Sequence, residues 1–134
     1  MSPTPQAQQP NPNYHVVWAE IPVTDLEAAR QFYGAVMKAE LSIFREGPNP
    51  MVFFPREDQS GGHSAHIYEG TPAPAGVGPT IHLLTPDDLE ATADRVVEAG
   101  GKVLSPPIEI PEGSFIYTTD PDGNSIGWWQ PKAA

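Results

Sequence analysis

Apolar and polar residues alternate from His15 to Val23: Val17, Ala19 and Ile21 fall on one side, and Val16, Trp18 and Glu20 on the other. A strand with two different faces is predicted there. Thr24 stands where a helix N-cap belongs, and Glu27 three places on completes a capping box, so a helix is expected over 25–38. Along it Leu26, Ala29, Phe32, Tyr33, Val36 and Met37 recur every three or four residues, which gathers them on one buried face. Three short apolar segments follow, at 41–45, 51–54 and 64–69, separated by turns rich in Gly, Pro and Asn, and each predicts a strand.

A connector of small residues and prolines, 70–79, interrupts this pattern, after which the order begins again. A strand is expected at 80–84, then Thr85 as N-cap with Pro86 at the first helical position. The helix should cover 87–99, with Leu89, Ala93, Val96 and Val97 as its buried stripe and Gly100-Gly101 ending it. Strands are predicted at 102–104, 114–119 and 125–130, with a proline-interrupted loop over 105–112. Asp120-Pro121-Asp122-Gly123-Asn124 supplies the residue types of a tight reversal between the last two strands. The fragment Asp25-Leu26-Glu27-Ala28 returns as Asp88-Leu89-Glu90-Ala91, displaced by 63 positions, and the elements around it return in the same order. The expectation is two tandem βαβββ modules, at about 14–70 and 78–131, within a single α+β domain over 14–134.

Composition narrows the partners. Seven basic residues against 17 acidic ones give a formal charge of -10, which repels nucleic acid at long range. The absence of cysteine excludes disulfides, thiolate metal sites and a cysteine nucleophile. No apolar run approaches the roughly 20 residues that span a bilayer, so no membrane partner is expected. Residues 1–13 are rich in Pro and Gln, lack the basic start and apolar middle of a secretory signal, and read as a disordered tail; cytoplasmic residence is the default expectation.

The Glu20-Ile21-Pro22-Val23-Thr24-Asp25-Leu26 start, Phe32-Tyr33, Gly100-Gly101 and the Asp120 to Asn124 turn together resemble the vicinal oxygen chelate superfamily. That superfamily includes glyoxalase I, bleomycin-resistance proteins, fosfomycin-modifying enzymes and extradiol dioxygenases. The resemblance covers residues 15–131, and the motifs that carry it are capping and turn chemistry rather than catalytic groups. It implies that the two modules form a cupped mixed β-sheet with helices packed outside, and that a homodimer covers the open edges and faces.

In metal-using members, His or Glu ligands project into the cup from the first and last strands of each module. Counting from Asp25, Asp88 and Asp122, those positions fall on Trp18, Ile81 and Gly127, none of which can ligate a divalent ion. The resemblance therefore implies a small-molecule cup with no cofactor expected and the standard metal site lost. His82 lies one place from Ile81, and His63 and His66 lie in or near the fourth strand, so a divalent metal held by Glu20, His66 and His82 stays open as the alternative. His15 has a weaker claim.

Without metal, Glu20 is the candidate catalytic base or hydrogen-bond partner, since by strand parity it shares a face with Trp18. A structural ion pair to Arg45 or Arg56 is the plainer role for it. Trp129 shares parity with Gly127, and Tyr117 shares parity with Phe115, so the expected ligand-binding set is Trp18, Glu20, Tyr117 and Trp129. Trp128 faces the opposite way to Trp129 and is assigned to the core. The family resemblance leaves three functions open: metal-independent binding of a small organic molecule, a metal-dependent lyase or isomerase, and a dimer that sequesters a ligand without turnover.

Overall fold

The computed structural model describes residues 16, 18–55 and 64–132; the expected tail, His15, Arg56 and His63 lie outside the described residues. Eight strands and two helices follow one another as β1 (Ala19–Val23), α1 (Leu26–Met37), β2 (Met51–Phe53), β3 (Ala65–Glu69), β4 (Ile81–Leu84), α2 (Leu89–Glu98), β5 (Lys102–Val103), β6 (Ile108–Ile110), β7 (Gly113–Thr119) and β8 (Ser125–Pro131). They build two mixed sheets. The first has the order β1-β3-β2, and the second β4-β8-β7-β5, with β6 paired to β7. Both halves place their opening strand parallel to their closing strand, β1 with β3 and β4 with β8.

One face of each sheet packs on the helices around a shared core. Ile21, Val23, Val52 and Ile67 come from the first sheet, and Leu83, Ile116, Ile126 and Trp128 from the second. Against them lie Leu26, Ala29, Phe32, Tyr33 and Val36 of α1 and Leu89 and Val96 of α2. Two members of the expected α2 stripe sit elsewhere: Ala93 is only partly buried and Val97 is exposed. Thr92 takes the buried place instead, because its hydroxyl is satisfied within its own turn by the Asp88 carbonyl and the Asp87 carboxylate.

Both helices start later than their capping motifs predict. Asp25 caps α1 by accepting from the Ala28 amide at 3.0 Å, and Asp88 caps α2 by accepting from the Ala91 amide at 2.7 Å. Thr24 and Thr85 are therefore not the N-caps, and Pro86 lies before the helix. A carboxylate closer to the free amides, one residue on from Thr24 and three on from Thr85, wins this competition, being a stronger acceptor than a hydroxyl. Glu27 turns outward to Arg30 and Gln31. Segment 41–45 forms only an isolated bridge, Phe44 to Met51, while the expected loop 105–112 contains β6.

Thr24 is freed from capping for a longer-range bond. Its hydroxyl donates to Asp122 at 2.6 Å, and its amide donates to the same carboxylate. Asn124 donates from its side-chain amide to the Pro22 carbonyl at 2.8 Å. Beneath these bonds, buried Asp120 accepts from the Tyr33 hydroxyl at 2.6 Å and from the Asp122 and Asn124 amides. Gly123 adopts φ 90, which a left-handed turn position requires and glycine supplies without strain. The closing turn of the second half thus clasps the opening turn of the first. Arg95 adds a second tie between halves, donating to the Val36 carbonyl and to Asp87.

The phenol of Tyr33 is pushed well above its ordinary pKa by burial and by the Asp120 charge beside it, so it stays protonated and donating. Tyr33→Phe removes that donor and leaves a buried carboxylate short of a partner. The expected loss is about 1 to 3 kcal/mol in urea unfolding; an unchanged midpoint would show that the clasp does not hold the halves together.

Candidate functional site

Strand alternation that buries Ile21 and Val23 turns Trp18 and Glu20 to the opposite face of the first sheet. The register sets Glu20 opposite His66, and Phe53 opposite His66 from the other side. The result is a nest of rings around one imidazole. His66 lies 5.0 Å from Trp18, 5.8 Å from Phe53 and 5.9 Å from Tyr68 between ring centroids. It is only 3 % exposed, although strand position alone would allow it to be solvated.

Glu20 is the polar edge of this nest. Its Oε1 stands 3.5 Å from His66 Nε2, and its side chain is 61 % exposed. The carboxylate thus partners a histidine among the described residues, Arg45 is not its partner and Arg56 lies outside them, and it lies at the rim rather than in an apolar recess. Burial holds the His66 imidazole below its ordinary pKa, and the Glu20 carboxylate offsets part of that effect. At neutral pH the ring is uncharged. Its Nδ1 is buried and has no hydrogen-bond partner among the described residues.

The second sheet carries a parallel arrangement. His82 stands opposite Gly127 and Leu84 opposite Trp129 in the β4 and β8 pair, while Phe115 and Tyr117 lie opposite Trp129 and Gly127 in β7. His82 meets Phe115 edge-on at 5.1 Å, and Phe115 stacks on Trp129 at 6.1 Å. A Cβ on Gly127 would collide with the His82 ring, so glycine there lets the imidazole lie flat across the strand. Partial desolvation holds His82 below the ordinary histidine pKa.

Counting back from the cap to Ile81 misjudges the register. Ile81 packs against the core, and it is His82 that projects to the open face. One residue, Thr24, separates buried Val23 from its cap, whereas Pro86 and Asp87 separate buried Thr85 from Asp88. That extra residue exchanges the faces. The expected binding set is accordingly divided: Trp18 and Glu20 stand on the first sheet, Tyr117 and Trp129 on the second. Trp128 is fully buried, as its parity requires.

Among the described residues of one chain no metal site is complete. Glu20 and His66 supply two donors, and no group of three or more His, Cys, Asp or Glu converges among the described residues. A closed or catalytic site of nitrogen and oxygen ligands takes at least three from the protein. The sequence offers His66 as a possible ligand from its place in the expected fourth strand; its burial, its ring contacts and its place opposite Glu20 appear only once distant strands pair.

Comparison with known proteins agrees with this fold. Residues 15–127 match the Glyoxalase/Bleomycin resistance protein/Dioxygenase superfamily. The chain belongs to this superfamily. Its glyoxalase-like fold is shared with a glyoxalase/bleomycin resistance protein from Albidiferax ferrireducens T118, at a TM-score of 0.67 and 21% identity over 87% of this chain and 98% of the other. A second, from Streptomyces sp. CB03234, has a TM-score of 0.55 and 26% identity over 84% and 97%. A curated relative, "Putative glyoxylase CFP32" of Mycobacterium tuberculosis, is 32% identical over 122 residues, and its counterpart in Mycobacterium bovis is equally similar. The match covers 84% of this chain but 44% of those relatives, so the chain spans less than half their length. No helix among the described residues is long and apolar enough to cross a membrane.

The His66 environment sets a pH dependence with a definite sign. A histidine whose folded pKa is lowered binds fewer protons folded than unfolded, so its contribution to stability is present above the ordinary value of 6.5 and is lost as pH falls from there through the lower folded value. An NMR titration should place the His66 midpoint below 6.5, and Glu20→Gln should lower it further by removing the charge that opposes burial. A midpoint unmoved by Glu20→Gln would show that the pair does not interact.

Proposed function

We propose that this glyoxalase-like domain binds a small organic molecule on the aromatic faces of its sheets, without the metal site common in its superfamily. Glu20 and His66 form the polar end beside Trp18 on the first sheet, and Tyr117 and Trp129 form an aromatic wall on the second. The observation that carries this reading is the Glu20 and His66 pair set among the rings of Trp18, Phe53 and Tyr68. Binding sites are mostly apolar, with a few placed polar groups that fix orientation, and this face has that make-up. The reading requires binding and leaves turnover as a separate property, so sequestration and catalysis share the same surface.

A homodimer belongs to the same proposal. Trp18, Leu84 and Tyr117 remain 40 %, 54 % and 37 % exposed in the single chain, on faces of the two sheets that the helices do not cover. Exposed apolar groups of this extent favour a covering partner. Sedimentation of the purified protein should give twice the chain mass at tens of micromolar; a monomer contradicts this part of the proposal.

Titration with a panel of small aromatic alcohols and amines, followed by tryptophan emission, tests the site. Glu20→Gln keeps the shape and removes the charge, and should weaken a bound ligand by about 1.5 to 3 kcal/mol. Unaltered affinity in that variant sinks the role given to Glu20.

One observation favours a metal-dependent lyase or isomerase instead. Glu20 and His66 are direct partners across the parallel β1 and β3 pair, and His82 occupies the corresponding place in the β4 and β8 pair, opposite Gly127. Two sheets brought face to face would give three nitrogen and oxygen donors of the kind borderline ions accept. Elemental analysis of protein purified without chelator decides between the readings. A stoichiometric divalent ion, lost on His66→Ala or His82→Ala, replaces the metal-independent reading with this one.

A further inference from the structure

Two buried side-chain nitrogens lack a hydrogen-bond partner among the described residues, His66 Nδ1 and Trp128 Nε1. They differ in what surrounds them. Trp128 is sealed in the core at 0 % exposure, behind the helix-facing side of the second sheet. His66 lies on the opposite side of its sheet, where the rings of Trp18, Phe53 and Tyr68 and the Glu20 carboxylate stand around the imidazole.

The Glu20 carboxylate decides which proton the neutral ring carries. An ionised carboxylate only accepts, so the nitrogen that faces it, Nε2, must hold the hydrogen. Nδ1 is then left with a lone pair and no donor. A buried acceptor without a partner is destabilising, and folded proteins rarely leave one unfilled. Trp18, whose ring lies 5.0 Å from the imidazole, is itself 40 % exposed and stands just before β1. Rotation of that side chain would take one ring off the nest from the solvent side, and exposed side chains change rotamer rapidly.

We propose that His66 Nδ1 is the acceptor of a ligand subsite for small planar molecules bearing a hydroxyl or N–H donor, with Glu20 as the positioning residue that fixes the accepting tautomer. The inference rests on the small-molecule reading above and deepens it by naming the ligand's chemistry. The planar body stacks among Trp18, Phe53 and Tyr68, and the donor satisfies Nδ1. A ligand of the same shape without the donor would bury the lone pair a second time, which is how such sites discriminate.

Phenol and anisole make the test, since they share a ring and differ in the O–H. With the protein labelled at its histidine nitrogens, the unliganded His66 resonances should report the Nε2–H tautomer. Phenol should shift the Nδ1 resonance and bind about tenfold or more tightly than anisole, and His66→Phe, which keeps a ring in the nest, should abolish the preference. A resting Nδ1–H tautomer overturns the proposal without needing any variant to fold. Equal binding of the two probes by the native protein also overturns it, while leaving the small-molecule site in place. If neither probe perturbs His66 or the tryptophan emission, the small-molecule reading falls with it.

Discussion

Buried Asp120 is the group on which the arrangement of the two halves depends. A carboxylate in a protein interior is tolerated only when hydrogen bonds replace the water it has lost. Asp120 receives the Tyr33 hydroxyl from α1, the Asp122 and Asn124 amides from its own turn, and the Asn124 side chain, which also reaches the Pro22 carbonyl at the end of β1. One charge thereby fixes the closing turn of the second half to the strand and helix of the first. The strand it holds is the one that carries Trp18 and Glu20. Two further side chains secure the helices to their sheets: Glu69 accepts from the Leu26 amide, and Gln130 accepts from the Leu89 amide. Each comes from the end of the strand that runs parallel to its half's first strand.

Given that frame, the open faces follow from parity and one inserted residue. Ile21 and Val23 must point inward to bury their area, so Glu20 points out; Leu83 and Thr85 do the same in the second half, so His82 points out. Parallel pairing then places Glu20 against His66 and His82 against Gly127. The two positions are geometrically alike and chemically different. One holds a carboxylate and an imidazole in contact; the other holds an imidazole lying over bare backbone. This asymmetry separates the two nests, because polar recognition concentrates on the first sheet while the second offers mainly aromatic wall.

The acidity of the chain has little bearing on either nest. Glu27 and Asp87 are drawn down to a pKa of about 2 mainly through hydrogen bonds with Arg30 and Arg95, on the helices and the turn before α2. Those pairs neutralise local charge far from the rings. Among the described residues, the carboxylate that stands beside His66 is that of Glu20, placed by strand register rather than by composition.

Periodicity and turn chemistry alone determined most of the architecture. The buried stripe of α1, both parity assignments at Trp128 and Trp129, and the Asp-Pro-Asp-Gly-Asn reversal were all legible, because each depends on neighbours a few residues apart. Competition between equally plausible local groups was not legible. Asp25 takes the cap from Thr24, and Thr24 bonds instead to Asp122, which is distant in the chain. The same limit applies to the site. Glu20 and Trp18 share a face by local alternation, whereas the burial of His66, the loss of a partner at its Nδ1 and the outward turn of His82 exist only once remote strands pair and the loop before α2 takes up its extra residue. Alternation is a property of the chain; which side chain stands opposite another, and what it is left without, is a property of register.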